Sequence, residues 1–126
     1  MTYTFSLFLA SIAIILNVVA QIMFKQTAVK MPLKTFNIDT FTTYLLSSIF
    51  SITFIIGLTS AFLASILYLI SLSKLPLSVA FPFTGLSFIA IFLIGIFMFN
   101  EKLSFLNISG MVLMLVGIFL ITYSSA

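Results

Sequence analysis

Cysteine and histidine are both missing from this chain of 126 residues. Their absence removes disulfides, thiol chemistry, imidazole base catalysis and the usual zinc sites. Charge is scarce too: 6% of residues are charged, where a soluble domain carries about a quarter. The two acids, Asp39 and Glu101, lie far apart and suggest no carboxylate pair. The five basic residues are lysines set singly between hydrophobic runs. The net charge of +3 therefore forms no basic stripe and signals no nucleic-acid partner. General acid–base work needs a group that titrates near neutral pH. The candidates here are two acids and a few lysines, mostly at run boundaries, and no nucleophile–base pair is visible. The expectation is a protein that is not an enzyme and uses no metal or cofactor.

What is abundant is hydrocarbon. The chain is 63% hydrophobic, with a mean hydropathy of +1.39. Charge-free runs cover residues 2–24, 40–73, 75–100 and 103–126. About 20 apolar residues cross a bilayer as a helix. This predicts an all-α integral membrane protein, a single domain over residues 1–126, with four transmembrane helices at about 3–24, 52–73, 76–99 and 103–124. The second run is too long for one helix and too short for two spans. Its first part holds Thr42, Thr43, Tyr44, Ser47, Ser48 and Ser51, and reads as a short amphipathic helix at the interface. One long tilted helix is the alternative. The first run lacks a basic leader and a small-residue cleavage site, so a removable signal peptide is not expected.

Polar residues inside these runs are few, and one group is ordered. Asn17, Gln21 and Lys25 stand at i, i+4 and i+8. On a helix they share one face, drifting by about 40° per step. Polar groups are expensive in hydrocarbon, so this stripe should face protein or water, where a polar ligand or a partner helix meets it. Lys25 can serve equally as an interfacial anchor by snorkelling. Tyr3, Tyr44, Tyr68 and Tyr123 lie near run ends, as interface anchors do. Tyr68, just before the Lys74 turn, is the best candidate among them for a ligand contact. The sixteen phenylalanines and six methionines can face lipid, fill gaps or line a groove for lipid tails.

The turns are also legible. Pro76 suits the first turn of a third span. Pro82, inside that span, leaves the carbonyl of Ser78 without a donor and kinks the helix, either for packing or to line a cavity. Gly85 follows three residues later. Asn100 and Ser104 are candidate N-caps for the fourth span, and Glu101 there favours the helix dipole. Gly110 and Gly117, seven apart, form a helix-pairing face, within or between subunits. Lys25, Lys30, Lys34 and Lys102 flank the first and third connections, against Lys74 at the second. This places those two connections in the cytoplasm and both termini outside. Four short helices tend to fill their own centre, so a dimer with a shared groove is expected, of identical chains or with a similar small membrane protein.

Taken together these residues resemble the small four-helix branch of the drug/metabolite transporter superfamily, which includes small multidrug resistance proteins and EamA-like half-transporters. The resemblance rests on Asn17-x3-Gln21-x3-Lys25-Gln26, on Tyr68-x7-Pro76-x3-Ala80-Phe81-Pro82, on Glu101 and on the Gly110 to Gly117 motif. It implies a transporter of the bacterial inner membrane, with Gly110 and Gly117 in dimerisation. In the multidrug branch an embedded glutamate binds proton or cationic drug, and the matching position here is Asn17. Asparagine does not titrate. The Ala20-Gln21-x3-Lys25-Gln26 and Ala80-Phe81-Pro82 patterns are more similar to subunits that flip aminoarabinose-phosphoundecaprenol. That similarity implies a polyprenyl-phosphate-linked sugar as cargo, with Asn17, Gln21, Lys25, Tyr68, Lys74, Pro82 and Glu101 as substrate-binding residues. A small-solute or multidrug exporter, and an accessory subunit of a glycosyltransferase system, are the alternatives.

Overall fold

The computed structural model describes residues 2–125 and contains six helices among them. Helix α1 spans Tyr3–Lys30, opened by Thr2, whose hydroxyl accepts from the Phe5 amide at 3.3 Å. It runs past residue 24 because nothing from Lys25 to Lys30 breaks a helix; Pro32 lies just beyond its end. At 28 residues it is about 42 Å long. That exceeds a hydrocarbon core of about 30 Å, so its last turns carry Lys25 and Lys30 toward the water boundary.

The second hydrophobic run divides in two. Helix α2 spans Ile38–Ile49 and α3 spans Ile52–Leu72, separated at Phe50 and Ser51, where Ser51 is extended. Helix α2 has 12 residues, too few to cross, and is the most amphipathic of the six. The single long helix is thereby excluded.

The third span is broken as well. Helix α4 covers Leu77–Thr84 and α5 covers Leu86–Phe99, with Pro82 inside α4. Pro82 has no amide to donate, and the break falls three residues on, at Gly85. There the Gly85 amide bonds to the Pro82 carbonyl and the Phe88 amide to the Gly85 carbonyl, at 3.0 and 3.1 Å. Helix α6 spans Phe105–Ser125. Four helical stretches are thus long and apolar enough to cross a membrane: Tyr3–Lys30, Ile52–Leu72, Leu77–Phe99 and Phe105–Ser124. The fold is that of an all-α, multi-pass membrane protein.

Packing centres on α1 against α3, which run antiparallel. Their interface is built from small residues: Ser6, Ala10, Ala13 and Ala20 on α1, Gly57, Ser60, Ala64 and Ser71 on α3, all buried. Lipid offers no hydrophobic drive for helices to meet, so close approach and dispersion have to supply it. Gly57 marks the tightest crossing. A Cβ there would sit 2.9 Å from the Phe24 ring and 3.1 Å from Met23 Cβ. One turn away, the Thr27 and Thr53 hydroxyls bond at 2.7 Å. Leu75 in the α3–α4 turn closes the other end, against Ala10 and Ala80. Helix α5 packs on α1, and α6 chiefly on α4. No described residue in the α6 span is buried.

Candidate functional site

The end of α1 near Lys25 meets the end of α5, and the α5 terminus shapes what happens there. Asn100 takes the left-handed conformation, with φ 51° and ψ 37°, a geometry asparagine tolerates better than most residues. The amides of Asn100 and Glu101 then both donate to the Gly95 carbonyl. This turn aims the Glu101 side chain back along α5. Its carboxylate lies where a Cβ on residue 95 would be, since an added Cβ would stand 2.6 Å from Oε2. From this seat Oε1 reaches Lys25 Nζ at 3.3 Å. The same ammonium lies 5.9 Å from the centre of the Phe99 ring, in cation–π range. Both ends of the pair are about half exposed, at 48% and 53%. Gln21, Lys25, Ile91, Ile94, Gly95, Phe99 and Glu101 line a cleft of about 190 Å³.

Glu101 is also a wall of a second cleft, of about 430 Å³, between α5 and α6. Phe88, Phe92, Asn107, Gly110, Met111 and Met114 complete that lining. One carboxylate therefore stands on the wall of both clefts, with Lys25 and Gln21 on one side and Asn107 on the other.

Asn17 faces elsewhere. It lines a separate cleft of about 280 Å³ between α1, α3 and α4, with Ser65, Tyr68, Phe81 and Thr84. The Tyr68 hydroxyl is buried and makes no hydrogen bond among the described residues. Ser65 and Thr84 spend their protons on the carbonyls of Ala61 and Phe81, at 2.9 and 2.6 Å. Asn17, Gln21 and Lys25 all remain exposed rather than sealed between helices. Eight residues of helix separate Asn17 from Lys25 by about 12 Å. The stripe thus serves two levels: an amide-and-hydroxyl cleft deep in the span and an ion-paired cleft at its end.

Other candidates lie apart. Lys74 belongs to the turn beside Leu75, which packs on Ala10, and Lys25 is fifteen residues further along α1, or about 22 Å. The two lysines stand at opposite ends of the bundle. Pro82 is buried and lines neither polar cleft. Gly110 and Gly117 face open space: among the described residues, no atom beyond their own helix backbone lies within 4 Å of a Cβ placed on either. It is Gly85 that admits α6 intramolecularly, because a Cβ there would strike Ile118. Sequence reasoning missed Gly95, Phe99, Ser65 and Thr84. A glycine in an apolar run shortly before an acid, Gly95 before Glu101, is the signal that could have found the Glu101 seat.

With this geometry in place, known proteins supply a comparison. Over 68 residues the chain is 41% identical to the probable 4-amino-4-deoxy-L-arabinose-phosphoundecaprenol flippase subunit ArnE of Hamiltonella defensa subsp. Acyrthosiphon pisum (strain 5AT). This chain is similar to a flippase subunit. The alignment covers 52% of this chain and 61% of the relative, so the chain spans less than two thirds of that relative's length. No family model matches, and no solved structure matches. The similarity agrees with the resemblance drawn from the motifs.

Proposed function

We propose that the chain is one subunit of a dimeric membrane flippase that carries a polyprenyl-phosphate-linked sugar across the bacterial inner membrane. The observation that carries this reading is the cleft holding Gln21 and Lys25 at the end of a membrane-spanning helix. An ammonium with three donors, next to a primary amide, is a receptor for phosphate oxygens. The deeper cleft supplies uncharged polar groups, Asn17 and the unpaired Tyr68 hydroxyl, suited to sugar hydroxyls as the headgroup passes the bilayer middle. Similarity to a protein named as a subunit of such a flippase supports the cargo class. A paired arrangement is supported by α6, whose two glycines are uncovered and in whose span no described residue is fully buried.

Exchange of a lipophilic cation for a proton is disfavoured by the same geometry. Among the described residues no carboxylate lines the deep cleft, and Asn17 stands where a titrating acid would be needed. The open α6 face equally suits an accessory role beside a larger membrane enzyme. Co-purification with one such enzyme, and no transport by the purified protein, would favour that role.

The test is transport of the lipid-linked sugar into the outer leaflet by Lys25→Ala. Transport is expected to be abolished while membrane insertion and yield stay at the unmutated level. Transport at the unmutated rate would sink the reading.

A further inference from the structure

Transport of a lipid-linked sugar leaves one cleft without a task. It has a volume of about 270 Å³ and lies where α1, α2 and α3 meet. Its walls are Phe24 and Thr27 of α1, Leu45, Ser48 and Ile49 of α2, and Phe54 of α3. Apart from the aromatic and aliphatic side chains, one group stands out. The Ser48 hydroxyl is buried and makes no hydrogen bond among the described residues. Thr42 and Thr43 on the same helix give their protons to carbonyls four residues back, at 2.8 and 2.9 Å, and Ser48 does not. Thr27, across the cleft, already donates to the Met23 carbonyl at 2.9 Å. A donor left unmade in apolar surroundings is costly, so the site asks for an acceptor.

We infer that this cleft binds an anionic glycerophospholipid of the surrounding bilayer: an acyl chain fills it, an ester carbonyl accepts from Ser48, and the phosphate faces Lys30. Depth is the first reason. Helix α2 is amphipathic and too short to cross, so it belongs at the headgroup–acyl boundary. The glycerol esters of a phospholipid lie at that same level. Charge is the second. Lys30 follows Thr27 by three residues, about one turn closer to water on nearly the same side of α1. It is exposed and in no ion pair among the described residues. Asp39 does not oppose it there, because nine residues place Asp39 half a turn round α2 from Ser48. Size is the third. The cleft is smaller than the roughly 300 Å³ of a site for a drug-sized ligand, and so takes part of a chain rather than a headgroup. The ester separates this lipid from the cargo proposed above. A polyprenyl chain carries no acceptor below its phosphate and leaves Ser48 unserved, so the inference stands apart from the flippase reading. A chain in this place would also fasten α2, which touches α3 only lightly, to the rest of the bundle.

The test adds three lipids in turn to the detergent-purified protein and reads the first one bound by native mass spectrometry. They are dioleoyl phosphatidylglycerol, its dialkyl ether analogue without ester carbonyls, and dioleoyl phosphatidylcholine. The unmutated protein is expected to bind the ester phosphatidylglycerol about fivefold more tightly than the ether form, the scale of one hydrogen bond. Ser48→Ala, a change too small to disturb α2, should erase that difference. Ser48→Leu should fill the cleft and weaken both forms. Lys30→Gln should cut the preference for phosphatidylglycerol over phosphatidylcholine about fivefold and leave the ester–ether difference in place. An ester preference that is missing in the unmutated protein, or that survives Ser48→Ala, overturns the inference and gives the hydroxyl to a buried water. A full preference for phosphatidylglycerol in Lys30→Gln overturns it too. So does release of phosphatidylglycerol by an equimolar amount of undecaprenyl phosphate, which would assign the cleft to the cargo path and leave the flippase reading standing. Lys25→Ala, on the other cleft, should leave phosphatidylglycerol binding unaltered whatever it does to transport. A parallel loss of that binding would place the lipid at Lys25 and overturn the inference.

Discussion

Helices α1 and α3 press together through alanine, serine and glycine, while α6 packs chiefly on α4 and none of the described residues in its span is fully buried. All three helices are apolar to nearly the same degree. Hydrophobicity therefore does not decide which helix finds a partner inside the chain. The spacing of small residues does. On α1 and α3 the small residues face each other, and the backbones approach until Phe24 nearly touches the bare Gly57. On α6 they are uncovered: a Cβ on Gly110 or Gly117 would meet nothing within 4 Å among the described residues, and Gly110 borders the cleft between α5 and α6. The contrast separates a pair of helices that cover each other's small residues from a helix whose glycines are left uncovered within the described chain. It also explains where the clefts lie. The ion-paired cleft uses α1 and α5, whose contact is looser than that of α1 with α3, and the larger cleft beside Glu101 lies between α5 and the weakly held α6.

The strongest way to break this contrast is to spoil the tight pair. Gly57→Leu puts a branched side chain where even a Cβ lies 2.9 Å from the Phe24 ring. Overpacking of this kind costs about 1–3 kcal/mol, partly offset by the better helix propensity of leucine. A net loss of up to about 2 kcal/mol is expected in denaturant titration of the detergent-solubilised protein. Unchanged stability would mean that α1 and α3 are not held at this distance.

The complementary change belongs on α6. Gly110→Leu together with Gly117→Leu meets no clash within 4 Å among the described residues, so the fold of one chain should be kept and its stability should not fall, helix propensity favouring leucine by up to about 1 kcal/mol at each site. If this face pairs with a second molecule, self-association should weaken about tenfold, or about 1.4 kcal/mol. Cross-linking yield or single-molecule photobleaching in bilayers reads it directly. Unaltered association would move the subunit contact to another surface.

Much of this architecture could be read from residue order alone, for physical reasons that differ by element. Bilayer thickness sets the length of a span, so charge-free runs near 20 residues announced the four crossing helices. The serines and threonines before Ile52 separated α2 from α3 because they gather largely on one face of a short helix, as suits an interface rather than a hydrocarbon core. Pro82 announced an irregularity, and it falls at Gly85, where the backbone stays helical but the bonds tighten to i→i−3. The stripe Asn17, Gln21 and Lys25 was visible as a face, but its division between two clefts was not. That depends on how α4 and α5 cross α1, which no local pattern encodes. Lys74 was set by the lysine count on the side opposite Lys25, and it stands about 22 Å away because α3 and α4 turn at that end, so the two cannot share one cleft. The Glu101 seat needed the left-handed Asn100 and the bare Gly95 at once, a coincidence of backbone shape that composition does not display.

The smallest predicted effect tests what else holds the tight pair. Each hydroxyl has one proton, which fixes the direction of the chain of bonds across α1 and α3. Thr27 donates to the Met23 carbonyl at 2.9 Å, so it accepts from Thr53 at 2.7 Å, and Thr53 in turn accepts from Ser51 at 2.9 Å. Thr27→Val removes the acceptor for Thr53. The stranded proton can turn to the Ser51 oxygen, so the loss should be small, about 0.6 kcal/mol, as for other interhelical hydrogen bonds in membranes. A double-mutant cycle with Thr53→Val in the same denaturant titration measures it. A coupling several times larger would show that polar bonding, rather than the close approach at Gly57, sets the α1–α3 distance. The alanines, serines and glycine of that interface would then fit a separation fixed by the hydroxyl chain instead of setting it themselves.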